Sequence, residues 1–324
     1  MAVENEPEVN FARRVIDRYQ LTPPIDVEQL IRKYANLKYA EIPFEGADGI
    51  SMNLKVSGKK PTVIVNTMNS ALRRRFTLAH ELGHLLIPWH FGTIIDRVDP
   101  ILLGSSSDYW QIETEAYGFA AELLMPKKWV QTTLSQEEDL AKAHCAISTT
   151  CKTSAHATAM RLSQLLPASI VYASQKNGKV EFSGRTEGTL ACALPVDIVL
   201  DSSAYNYCEH HYEARSGDRA LHWWTLPKTI RLSTGDKRGW RDILDHILRD
   251  IGIPRDQRSS KERSINGVVG FAHGQTKHSG HYNIATVIAA CVQRFKDRKE
   301  YSDFSNHPDF EAFIAKRTED LFQK

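Results

Sequence analysis

The run His80-Glu81-Leu82-Gly83-His84 constrains this chain more than any other feature. Histidines at i and i+4 stand one turn apart on one helix face, so both imidazoles can converge on one metal ion. Glu81 is rotated from them by about 100° and can reach a water at the metal's open position. Gly83 leaves room for another element to approach closely. The run lies inside an apolar helical stripe (Leu72, Phe76, Ala79, Leu82, Leu86) that spans Ser70 to Leu86 and stops before Pro88. The competing reading is a histidine pair kept for packing alone. Chance would not ordinarily set such a run within so regular a stripe.

A catalytic zinc takes three protein ligands and keeps a fourth position open. The next strong helical pattern, Tyr109 to Leu124, ends at Met125-Pro126 and offers Glu113, Glu115 and Glu122. Its core face reads as Ala116, Phe119, Ala120 and Leu123. Glu115 sits beside that face, one turn before Phe119, and spacing favours it over Glu113.

Around these helices the pattern is mixed. Short helices are predicted at Phe11–Tyr19 and Val27–Tyr34, broken by Thr22-Pro23-Pro24, and strands at Leu37–Ile42, Gly49–Val56 and Thr62–Val65. The strands fit a small antiparallel sheet. A loop containing Gly104-Ser105-Ser106-Ser107 precedes Tyr109, and helical patterns at Glu137–Cys145 and Ser154–Leu165 complete an α+β unit. From Pro167 the texture changes. Lys176-Asn177-Gly178 reads as a hairpin between Ser169–Ala173 and Lys179–Ser183. Trp240–Asp250, His281–Arg298 and Pro308–Phe322 look helical, and the charged stretch Arg255–Arg263 reads as an exposed linker. The expected division is 1–166 and 167–324, the second part a further α+β domain.

Composition narrows the class. With 42% hydrophobic and 25% charged residues, the chain has the balance of an ordinary soluble globular protein. A net charge of +2 gives no global pull towards nucleic acid or membrane. Five scattered cysteines without a CxxC pair argue against a disulfide framework or a cysteine zinc site. The start of the chain has no secretory pattern, and its apolar runs are far shorter than the roughly 20 residues of a membrane span, so a cytoplasmic location is expected.

Two motifs in order carry a resemblance: Arg75-Phe76-Thr77-Leu78-Ala79-His80-Glu81-Leu82-Gly83-His84-Leu85-Leu86, then Glu115-Ala116-x-x-Phe119-Ala120-Ala121-Glu122-Leu123-Leu124-Met125-Pro126. Pro23-Pro24-Ile25-Asp26, the strand ending at Asn66, and Ser154-x-x-Ala157-x-x-x-Arg161-Leu162 are similar too. Over roughly residues 10–165 the chain resembles the ImmA/IrrE family of zinc metallo-endopeptidases. The resemblance implies a gluzincin-like core followed by a helix-turn-helix-like element. It also implies Zn2+ held by His80, His84 and Glu115, with Glu81 catalytic. It further implies cleavage of a regulatory protein, a helix-turn-helix repressor or antitoxin, in stress, mobile-element or anti-phage responses. The alternative is a toxin–antitoxin type module that recognises such a partner without cutting it. One departure stands out: Phe119 occupies the position, four after Glu115, where thermolysin-type enzymes carry an aspartate that buttresses a zinc histidine.

Other residues read as background. His90, beyond Pro88, lies off the helix and reads as a group behind the metal ligands or on the surface, with contact to substrate or transition state as the rival reading. Arg73-Arg74-Arg75 reads as a solvated helix start, and Tyr117 as a core or surface residue with an oxyanion donor as the rival reading. The segment Ser154–Leu165 has Arg161 as its one Arg or Lys, too little for reading DNA. His210-His211, His222-Trp223-Trp224 and the run with His273, His278 and His281 are expected to be core or loop, with a second metal or phosphate site as the sharper reading. The C-terminal half is expected to sense a signal or dock the partner.

Overall fold

The computed structural model describes residues 6–43, 46–97, 107–232, 234–277, 282–296 and 298–323. The chain divides into two compact units, Met1–Leu165 and Leu166–Lys324.

In the first unit, α1 (Pro7–Tyr19) and α2 (Val27–Tyr34) lead into β1 (Asn36–Ala40), β2 (Ala47–Leu54) and β3 (Thr62–Asn66). Helix α3 (Ala71–Leu86) follows, capped by the Ser70 hydroxyl accepting from the Arg73 amide, 3.3 Å. Then come β4 (Gly92–Arg97), α4 (Ser107–Leu124), α5 (Lys127–Gln136), α6 (Leu140–Cys151) and α7 (Ala155–Leu165). The sheet order is β1-β3-β2-β4. It is mixed rather than antiparallel: β1 runs parallel to β3, while β2 pairs antiparallel with β3 and β4.

Helix α3 is buried continuously from Thr77 to His84, because it has packing on two sides. Thr77 and Glu81 face β2 at Gly49. Gly83 faces α4, where a Cβ would lie 3.3 Å from the Ala116 Cα and from Phe119. That contact is the close approach expected of Gly83. The three arginines at the helix start are bound inside the unit instead of solvated: Arg73 to Asp48, Arg74 to the Asn69 carbonyl and Arg75 to the Cys151 carbonyl.

Several elements depart from the sequence pattern. Strand β4 and helix α5 carry no pattern that announced them, and α6 begins at Leu140 rather than Glu137, capped by the Asp139 carboxylate. Arg161 on α7 is buried and bonded to Glu122 and the Met125 carbonyl, so it packs and is unavailable to phosphates. Of the loop Gly104–Ser107, residues 104–106 lie outside the described residues and Ser107 opens α4.

The second unit is built on an antiparallel sheet of order β6-β5-β8-β7. Its strands are β5 (Ile170–Lys176), β6 (Lys179–Arg185), β7 (His210–Ser216) and β8 (Arg219–Thr225), and the β5–β6 turn is Asn177-Gly178 with φ of 52° and 79°. Helices α8 (Trp240–Asp250), α9 (Arg255–Lys277), α10 (Ile284–Lys296), α11 (Ser302–Ser305) and α12 (Phe310–Phe322) follow. Residues 255–263 are therefore helix and not linker. They form the polar first turns of α9, whose apolar contacts begin at Ile265. Trp223 and Trp224 are core, stacked on Tyr172 and packed against Tyr205. Among the described residues no helix is long and apolar enough to cross a membrane.

Candidate metal centre

Two helices deliver the donor set. Helix α3 brings His80, Glu81 and His84, and its neighbour α4 brings Glu113. Across their junction the His80 and His84 Nε2 atoms stand 3.0 Å apart. Glu113 Oε2 lies 3.1 Å from His80 Nε2, and Glu113 Oε1 lies 3.5 Å from His84 Nε2. Ligand atoms about 2.0–2.2 Å from a tetrahedral zinc stand about 3.3–3.6 Å from one another, so this triangle has the size of one metal face. His80 and His84 are fully buried and Glu113 nearly so, yet neither Glu113 oxygen accepts a hydrogen bond of ordinary geometry. A buried carboxylate without donors is costly unless a cation faces it. The charge pattern points the same way. Burial opposes a proton on His80, but Glu113, with Asp96 and Glu81 nearby, pushes it up to about 9, while burial drives His84 well below its ordinary range. The donor set thus fits a divalent metal.

The ligand expected at Glu115 is corrected: the structure brings Glu113 to the histidines. The two glutamates are about 200° apart on the helix and flank the core face of α4 on opposite sides. Only the packing of α3 along one flank decides between them. The stripe Glu113, Ala116, Ala120 (i, i+3, i+7) was the available signal. Glu115 is held elsewhere, by His90 Nε2 at 2.9 Å, Trp89 Nε1 at 2.5 Å and Gln111 Nε2 at 2.8 Å. Burial opposes its charge, but these donors hold its carboxyl below the usual range.

Glu81 is positioned by the sheet. Gly49 and Ser51 are two apart on β2, so both face α3. Ser51 Oγ donates to Glu81 Oε2, and a Cβ at Gly49 would come within 2.4 Å of Glu81 Oε1. Burial pushes the Glu81 carboxyl up to about 8. Asp96, opposite Gly49 across β2 and β4, joins the same face. It is buried, its Oδ1 accepts no hydrogen bond, and it groups with His80 and Glu81 in one cluster of metal-ligand dimensions. Nothing in the sequence pattern singled out Asp96, Ser51 or Gly49. Tyr117, one turn after Glu113, stacks on Phe76 and sets its ring 4.7 Å from that of His80. Among the described C-terminal histidines, His211, His222 and His273 have partners within the second unit. His273, in α9, bonds Tyr282, and His211 and His222 pair on the second sheet. His278 and His281 lie outside the described residues.

A helix carrying two histidines one turn apart with a glutamate between them, and a carboxylate from the next helix as third donor, define a metallopeptidase-type centre. Residues 32–163 match the IrrE N-terminal-like domain, Peptidase M78, of the ImmA/IrrE family. No curated protein matches the chain.

Proposed function

We propose that the chain is a zinc-dependent endopeptidase that cuts a regulatory protein, a helix-turn-helix repressor or antitoxin. The observation that carries the reading is the convergence of His80, His84 and Glu113 beside Glu81. When bound there, zinc would supply Lewis acidity to a scissile carbonyl and lower the pKa of water. The rest falls to the protein. Glu81, fixed by Ser51 and by the missing side chain at Gly49, accepts the attacking water's proton and can pass it to the leaving amine. A cleft of about 660 Å³ borders Tyr117 and is lined by Leu72, Phe76, Ala121 and Met160, which suits apolar substrate side chains. The class of partner rests on the family resemblance, as does a role in stress, mobile-element or anti-phage responses. The second unit is assigned to sensing or partner docking, since the centre is assembled wholly from residues of the first.

The test pairs the zinc-loaded chain with candidate helix-turn-helix proteins, first any encoded beside its gene, and follows fragments by mass spectrometry. Glu81→Gln should keep one zinc and the wild-type fold but release no fragments. Cleavage at the wild-type rate by that variant would remove Glu81 from the mechanism, and binding without cleavage by the wild type would make the chain a recognition module.

A further inference from the structure

His84 and His90 meet ring to ring. Their Nδ1 atoms are 2.9 Å apart, and the far nitrogen of His90, Nε2, is 2.9 Å from Glu115 Oε2. Both rings are fully buried, and Glu115 is 9% exposed. With a metal on His84 Nε2, proton counting leaves one arrangement. The single proton of neutral His84 is on Nδ1 and is donated to His90 Nδ1. The proton of His90 is then on Nε2 and is donated to Glu115. Glu115 takes further N–H donors from Trp89 and Gln111, which fix both of its oxygens. A chain of hydrogen bonds therefore runs from the metal position to an anchored carboxylate, passing through a residue that lies off the motif helix.

We propose that Glu115, through His90, orients His84 and raises the basicity of its Nε2, so that His90 and Glu115 are positioning residues for the metal. Carboxylate partners of metal-bound histidines commonly act this way. Here the carboxylate works at one remove, through a second imidazole. His80 has no such support: its Nδ1 makes no hydrogen bond among the described residues. Packing alone would not call for this residue choice, because an apolar residue at 90 would fill the space without the cost of burying an imidazole and a carboxylate. The inference rests on the metal reading above.

The experiment measures zinc affinity of the full chain by competition with a chromophoric chelator, and melting temperature with and without zinc. The variants are His90→Ala, Glu115→Ala, the double variant and Glu115→Gln. Each single alanine variant should still bind one zinc, about 10–100-fold more weakly. The double variant should be no weaker than His90→Ala, because Glu115 acts only through His90. Glu115→Gln, whose amide oxygen can still accept from His90, should recover part of the loss. Should His90→Ala fail to fold, His90→Leu, which fills the space without a polar group, takes its place with the same expected order. Unchanged affinity alongside lowered zinc-free melting temperatures would reduce the pair to packing and overturn the inference alone. A further loss on adding Glu115→Ala to His90→Ala would make Glu115 a ligand and overturn it too. A wild-type chain that takes up no zinc would overturn both this inference and the metal reading.

Discussion

The two units spend their interiors differently. In the first, Asp48, Glu81, Asp96, Glu113, Glu115, Glu122 and Arg161 are buried along with four histidines, His80, His84, His90 and His144. In the second, no Asp, Glu, Lys or Arg is buried among the described residues, and the centre is an edge-to-face cluster of Phe295, Phe304, Phe310 and Phe313. Buried charge is costly unless paired or bound to metal, whereas aromatic packing stabilises directly. The first interior is shaped by chemistry at some expense of stability, and the second is shaped for stability.

The largest effect should come from the ligand itself. Structural zinc sites bind with about 10–16 kcal/mol, so removing one of three protein ligands should cost on the order of 4–5 kcal/mol, a thousandfold or more. Glu113→Ala is the variant, with isothermal titration of zinc as the readout. Near-normal affinity would mean that α4 supplies its ligand elsewhere. In the second unit, Phe313→Ala should cost about 4 kcal/mol in denaturant unfolding and leave zinc affinity unchanged. An effect on zinc would break the contrast between the two interiors.

Acid should weaken the first unit through His144. Burial lowers its pKa from 6.5 to about 4. Between those values the unfolded chain holds the extra proton, so stability is full above pH 6.5 and is lost as pH falls towards 4. The gap corresponds to about 3 kcal/mol at most. His144→Gln should flatten that slope in urea unfolding measured from pH 7 to 4, and an unaltered slope would locate the titrating group elsewhere. Gly49→Ala should produce the smallest change in stability, about 2 kcal/mol from overpacking against Glu81 and Thr77. It should also slow proteolysis sharply while zinc stays bound. Wild-type activity in that variant would show that Glu81 can swing clear of β2.

The motif helix was legible because its information is local: the i, i+4 spacing, the apolar stripe, the Ser70 cap and Pro88 together determine α3, His80, Glu81 and His84. Local signals also determined the Asn177-Gly178 hairpin and the helices at Trp240 and Pro308. Where partners come from distant segments, periodicity was silent or misleading. Glu113 and Glu115 flank one core face, and only the line along which α3 packs, set by Gly83 against Ala116 and Phe119, brings Glu113 to the histidines. Asp96 and Ser51 reach the site because β4 and β2 pair in a register that points both at α3, and His90 reaches His84 because the chain turns back after Pro88. Helical and strand periods specify which way a side chain points from its own element. What it meets there depends on long-range packing, and that is where the tertiary structure brought Glu113 to the histidines, Ser51 to Glu81 and His90 to His84.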